Sequence, residues 1–120
     1  QGAVREAFEE SGLEVEVIAP ADLLVVDSPA VVPPPAVILI EDIVRPDQPF
    51  HQHIDHVYFT RSVYEVDFAE PIPHGPCHWF TAEELSESFS LPAPDGTLVP
   101  VAEDVRLLGL RALIAAQQEP

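Results

Sequence analysis

The chain has 120 residues, is 47% hydrophobic, and sets 21 acidic residues against 5 basic ones for a net charge of −16. That length suits one domain, and that hydrophobic fraction excludes a disordered polyanion. The charge argues against binding a nucleic-acid backbone, which needs Lys and Arg to displace counterions, and against anionic membranes.

No apolar run reaches the roughly 18 residues of a spanning helix. The first residues lack the basic start and apolar stretch of a secretory signal. The single cysteine, Cys77, has no internal partner for a disulfide, which fits a reducing cytoplasm.

Gln1 to Leu13 reads as a helix and its exit. Glu6, Glu9 and Glu10 fall at i, i+3 and i+4, on one face, with Val4, Ala7 and Phe8 opposite. Three neighbouring carboxylates repel unless a cation sits among them, and hard oxygen donors suit Mg²⁺, Mn²⁺ or Ca²⁺ rather than zinc or copper. Arg5, four residues before Glu9, is placed to pair with one carboxylate. The plain alternative is a solvated acidic face. Gly12 ends the helix and Leu13 turns the chain back.

Leu13 to Ile18 alternates apolar and acidic residues, the period of a half-buried strand, and Leu23 to Val26 resumes an apolar strand after Pro20. Asp27 to Pro29 is a turn, and Pro33, Pro34 and Pro35 belong to a surface hairpin loop. Ala36 to Val44 is a near-continuous apolar run and predicts a central buried strand. After the turn Arg45 to Pro49, His51 to Thr60 predicts a long strand, followed by Val63 to Phe68, with Ile54, Val57 and Phe59 as core candidates.

His51 and His53 on a strand point to one side, shared by Asp55, and invite a transition-metal reading. Against it, no cysteine or second histidine pair completes a closed site; hydrogen bonding at the strand entry, or lining a pocket, accounts for them as well. Glu70 to Pro76 is a rigid loop and Cys77 to Phe80 a short strand. Thr81 is a good N-cap with Glu84 as capping-box partner. Trp79 packs in the core or stacks on a base. Ser86 to Thr97 is a polar loop. Val101 to Ala116 is an amphipathic helix with Glu103 and Asp104 in its first turn, a buried stripe of Val105, Leu108 and Ala112, and Gly109 allowing close approach. Gln117 to Pro120 is a frayed tail. No internal repeat and no Gly-rich phosphate loop is present. The order predicts an α+β fold.

Arg5 to Leu13 also resembles the second half of the Nudix box, the signature of Nudix (MutT-like) hydrolases. That half reads Arg-Glu, an aliphatic residue, any residue, Glu-Glu, any residue, Gly, an aliphatic residue. Arg5, Glu6, Glu9, Glu10, Gly12 and Leu13 match, and Ala7 is smaller than the pattern prefers. The Gly and Glu of the first half would precede Gln1, so the chain begins inside the motif. His53 to Phe59 resembles the strand that lines the Nudix cleft, and Trp79 to Leu85 a Trp-Phe…Glu-Glu-Leu segment common late in these domains.

The resemblance implies a Nudix-type α/β/α sandwich around a mixed sheet, with residues 1–120 as a single partial domain whose N-terminal strands are absent. It implies hydrolysis, by water, of a nucleoside diphosphate linked to another moiety, in the cytoplasm. Glu6, Glu9 and Glu10 would ligate Mg²⁺ or Mn²⁺, with Arg5 holding Glu6. The general base would come from a later loop, with Glu70 the candidate and Glu83 and Glu84 behind it. The partner is a small-molecule nucleoside diphosphate derivative, with no nucleic acid and no membrane, and a homodimer would help a sheet short of strands. The alternatives are a catalytically inactive Nudix-like binding or regulatory module, and a metal protein using His51, His53 and Asp55. ADP-ribose, sugar nucleotides, dinucleoside polyphosphates and oxidised nucleotides all stay open.

Overall fold

The computed structural model describes residues 1–87, 89–93 and 95–118. The helix expected at the start forms as α1 (Gly2–Ser11). The chain leaves it through Gly12 at φ 78°, with its N–H donated to the Phe8 carbonyl at 2.7 Å. That left-handed conformation favours glycine. A Cβ there would also meet Pro73 Cβ at 2.8 Å, so the site excludes side chains twice over.

β1 (Val15–Val17) follows and pairs antiparallel with β4 (Thr60–Ser62), Val15 opposite Ser62 and Val17 opposite Thr60. The ladder is extended by Ile18 N–H to the Phe59 carbonyl and Val63 N–H to the Glu14 carbonyl. α1 packs on β1. β2 (Val37–Ile43) and β3 (His51–Val57) form a longer antiparallel hairpin, with Ile40 opposite Ile54. Helix α2 (Ala82–Ser86) opens with the capping box expected: Glu84 N–H donates to Thr81 Oγ1 and Thr81 N–H to Glu84 Oε1. β5 (Ser90–Pro92) pairs with β6 (Leu98–Pro100), and α3 (Glu103–Gln117) packs on α2 and β4. The result is α+β, as the element order predicts.

The sheets depart from the sequence expectation. Among the described residues there are three two-stranded antiparallel sheets. β2 pairs with β3 alone and is not a central buried strand: Ile40 is 66% and Ile54 62% exposed. Leu23 to Val26 forms no strand, and Val25 is 87% exposed. The Leu23 N–H closes a turn onto the Pro20 carbonyl, so β propensity there finds no ladder to join. Val63 to Phe68 also stays irregular, because Ser62 Oγ donates to the Tyr64 carbonyl at 2.6 Å and bends the chain away. Cys77 to Phe80 is not paired as a strand. Its rings cluster instead, His78 with Phe80 and Phe89, and Trp79 edge-on to Phe68. β5 lies within the stretch expected as a polar loop, Ser86 to Thr97, and β6 follows directly after it. Of the expected tail, Gln117 closes α3, Gln118 caps it, and residues 119 and 120 lie outside the described residues.

Burial is sparse. Ile43, Phe59 and Leu85 are the buried apolar side chains among the described residues. Of the expected core set, Phe59 is buried, Val57 half-buried and Ile54 exposed. In α3, Leu108 and Ala112 are half-buried and Val105 is exposed, so the stripe is shallower than its spacing suggests. The accessible surface is 9517 Å², against about 6,400 Å² for a compact 13.1 kDa monomer. The radius of gyration, 16.7 Å, likewise exceeds the roughly 14 Å of a compact chain this long. No helix among the described residues is long and apolar enough to cross a membrane.

Candidate functional site

Glu6, Glu9 and Glu10 stand exposed on α1, while Val4 and Ala7 are half-buried. The amphipathic split read from the sequence is therefore real, except at Phe8, which stays half open. The far end of α1 is held by the loop expected to be rigid and to carry the candidate base Glu70, a contact the sequence did not indicate. The backbone N–H of His74 donates to the Ser11 carbonyl at 3.0 Å. Its ring Nδ1 lies 3.2 Å from the carbonyl oxygens of both Phe8 and Glu9. Cys77 Sγ donates to the Glu10 carbonyl at 3.6 Å. The Glu9, Glu10 and Ser11 carbonyls are among those a helix terminus leaves unsatisfied, and the Phe8 carbonyl also accepts from Gly12. These contacts fix the carboxylate-bearing turn against the 73–77 loop. No local periodicity signals a cap from more than sixty residues away; the Pro-His-Gly-Pro composition was the one clue that the loop is stiff.

Arg5 pairs with Glu9, Nε to Oε1 at 3.6 Å, and both side chains are well exposed. The i, i+4 pairing expected from spacing is present, whereas the contact to Glu6 implied by the resemblance is not the one formed. Glu6 instead borders a cleft of about 330 Å³ lined also by Val17, Val32, Pro33, His56 and Tyr58. Glu70 lies elsewhere. It lines a second cleft, of about 420 Å³, with Phe8, Tyr64, Trp79 and three more carboxylates, Glu14, Glu65 and Asp67. The structure thus separates Glu70 from Glu6. Glu84 is committed to the capping box, and Glu83 is exposed beside it on α2. Trp79, read from the sequence as a core residue or a base stacker, lines the Glu70 cleft.

Among the described residues, no three His, Cys, Asp or Glu side chains are arranged to hold a metal ion. His51, His53 and Asp55 share one face of the β2–β3 hairpin but form no such group; His51 Nδ1 is engaged by the Pro49 carbonyl at 3.0 Å. The donor chemistry of α1 does fit. Glu6, Glu9 and Glu10 supply hard oxygens at helical neighbour spacing. All three side chains are solvent-exposed.

Two surface groups elsewhere are electrostatically tuned. The Arg106 guanidinium, bonded to Glu103 at 2.7 and 3.0 Å, holds that carboxyl below its ordinary range. Asp95 is lowered by the side-chain hydroxyl and then the backbone N–H of Thr97. Both lie away from α1 in sequence, and they serve local structure.

Comparison with protein-family models, with curated proteins and with solved structures found no match.

Proposed function

We propose that the chain is a divalent-metal-dependent hydrolase that cleaves, with water, the diphosphate of a nucleoside diphosphate linked to another moiety. The observation that carries this reading is α1 itself. It bears the Arg-Glu…Glu-Glu…Gly-Leu pattern as a well-formed helix, exposes all three carboxylates, and ends in the left-handed glycine that the pattern demands. Glu6, Glu9 and Glu10 would hold Mg²⁺ or Mn²⁺. When bound, such an ion neutralises diphosphate charge and acidifies a bound water. Arg5 orients Glu9, and the His74 loop holds the turn that carries Glu9 and Glu10.

The Nudix-type sandwich belongs to the same proposal, with β1–β4 and β2–β3 as parts of its mixed sheet. So does a homodimer: the exposed Ile38, Ile40 and Ile54 of the β2–β3 hairpin give two copies an apolar surface to share. A cytoplasmic setting is part of the same proposal, supported by the free, exposed Cys77.

A second reading is a Nudix-like binding or regulatory module without turnover. One observation favours it: Glu70, the candidate base, stands in a different cleft from Glu6. Assay of ADP-ribose, sugar nucleotides, dinucleoside polyphosphates and oxidised nucleotides with Mg²⁺ and with Mn²⁺ separates the two. Metal-dependent release of a nucleoside monophosphate supports the hydrolase. Binding with no cleavage of any of them supports the module.

A further inference from the structure

We propose that the larger cleft, between the exit of α1 and the 62–73 segment, binds a small organic cation: an ammonium group carried on a short apolar stem. Glu6, Glu9 and Glu10 are not in its lining, so its ligand is independent of the hydrolase reading.

Distant parts of the chain build this cleft. Phe8 and Gly12 come from the end of α1 and its exit, Ser62 from β4, and Trp79 from the segment just before α2. Three rings, Phe8, Tyr64 and Trp79, stand in the lining, and Phe68 braces Trp79 edge to face at 5.2 Å. Aromatic faces attract cations, and indole does so most strongly. Leu13, Val66 and Ile72, all half-buried, add aliphatic surface against which an alkyl or phenyl stem sheds water. The volume, about 420 Å³, suits a small molecule.

The charges set the sign of the ligand. Glu14, Glu65, Asp67 and Glu70 share the lining with the rings, and no Lys, Arg or His among the described residues joins them. A phosphate or carboxylate is repelled from such a cleft and a cation is drawn in. Their arrangement sets the kind of cation. A divalent metal needs several oxygens converging on one point, and no three carboxylates among the described residues are arranged to hold one. Carboxylates dispersed among rings and aliphatic side chains instead match an organic ammonium, which is bulky, weakly hydrated and apolar at one end.

Trp79 is the only tryptophan of the chain and lines the cleft, so its fluorescence reports occupancy directly. The full chain is titrated with choline and with phenethylammonium, each beside its uncharged counterpart, 3,3-dimethylbutan-1-ol and 2-phenylethanol. At least one cation should shift the Trp79 emission saturably, with its uncharged counterpart at least about ten-fold weaker. Glu14 and Glu65 are exposed, so the double variant Glu14→Gln, Glu65→Gln should keep the wild-type circular dichroism while weakening the cation about ten-fold. Tyr64→Leu should weaken it about three-fold. Equal affinity for a cation and its uncharged counterpart, no saturable response to either cation, or wild-type affinity in the folded double variant overturns the proposal. So does the same emission shift from Mg²⁺ at equal concentration, which would make the cleft a metal site. A response to the peptide acetyl-Gly-Arg-Gly-amide with none to either small cation also overturns it, in favour of a docking site for a basic protein segment.

Discussion

His74 reaches across to the last turn of α1 and meets Phe8 twice: its Nδ1 lies 3.2 Å from the Phe8 carbonyl oxygen, and the two rings stand edge to face at 5.9 Å. A helix of ten residues is too short to persist on its own, so its tertiary anchors decide whether the carboxylate face exists. His74→Ala removes the side-chain donor and the ring contact while sparing the backbone bond to Ser11. The expected loss is about 1 kcal/mol in urea unfolding, with faster amide exchange at Gly12. An unchanged midpoint and unchanged exchange would show that the loop merely rests on the helix.

Gly109 and Leu85 set how closely α3 approaches α2. A Cβ at Gly109 would lie 3.0 Å from Leu85 Cδ1, and Leu85 is one of the few buried side chains. In an open helix, Gly→Ala gains about 1 kcal/mol in propensity. Here most of that gain should be offset by displacing Leu85. In the Leu85→Val background the obstructing methyl is gone, so Gly109→Ala should recover the full gain. Thermal or urea melts of the four proteins should show a coupling of about 0.5–1 kcal/mol. Additive effects would mean that the helices slide apart freely.

The Glu103–Arg106 pair makes a prediction about acid. The guanidinium bonds depress the Glu103 carboxyl in the folded protein, so folding favours its ionised form. The pair's contribution is complete above the unfolded glutamate value of about 4.3, and it is lost as pH falls through the lower folded value. In a ¹³C carboxyl titration, Arg106→Ala should move the Glu103 midpoint upward toward the ordinary glutamate range. A midpoint identical in both proteins would remove the pair from the acid response.

Local signals in the sequence were reliable where the physics is local. The αL exit at Gly12, the Thr81–Glu84 capping box and the Gly109 contact each depend on residues within one helix or its immediate neighbour. The carboxylate face of α1 and the Arg5–Glu9 pairing follow from helical spacing alone. Sheet membership was less legible. Among the described residues, Leu23 to Val26 has strand composition yet no strand partner, and Ala36 to Val44 reads as central although β2 has a single neighbour. Strand burial depends on what lies opposite, which apolar content does not encode. The His74 anchor, and the split of Glu6 and Glu70 between two clefts, arise from long-range chain geometry and left no periodic trace.

The central claim is that Glu6, Glu9 and Glu10 serve metal-dependent diphosphate cleavage, and Glu9→Gln tests it with least disturbance. Glu9 is exposed, and its pair with Arg5 is of a kind that contributes at most about 0.5 kcal/mol to stability, so the variant should fold as the wild type does. With the helix intact by circular dichroism, turnover of the best diphosphate substrate in Mg²⁺ or Mn²⁺ should fall by about two orders of magnitude or more. Wild-type turnover by a folded Glu9→Gln protein would contradict the assignment of the α1 carboxylates as the catalytic centre.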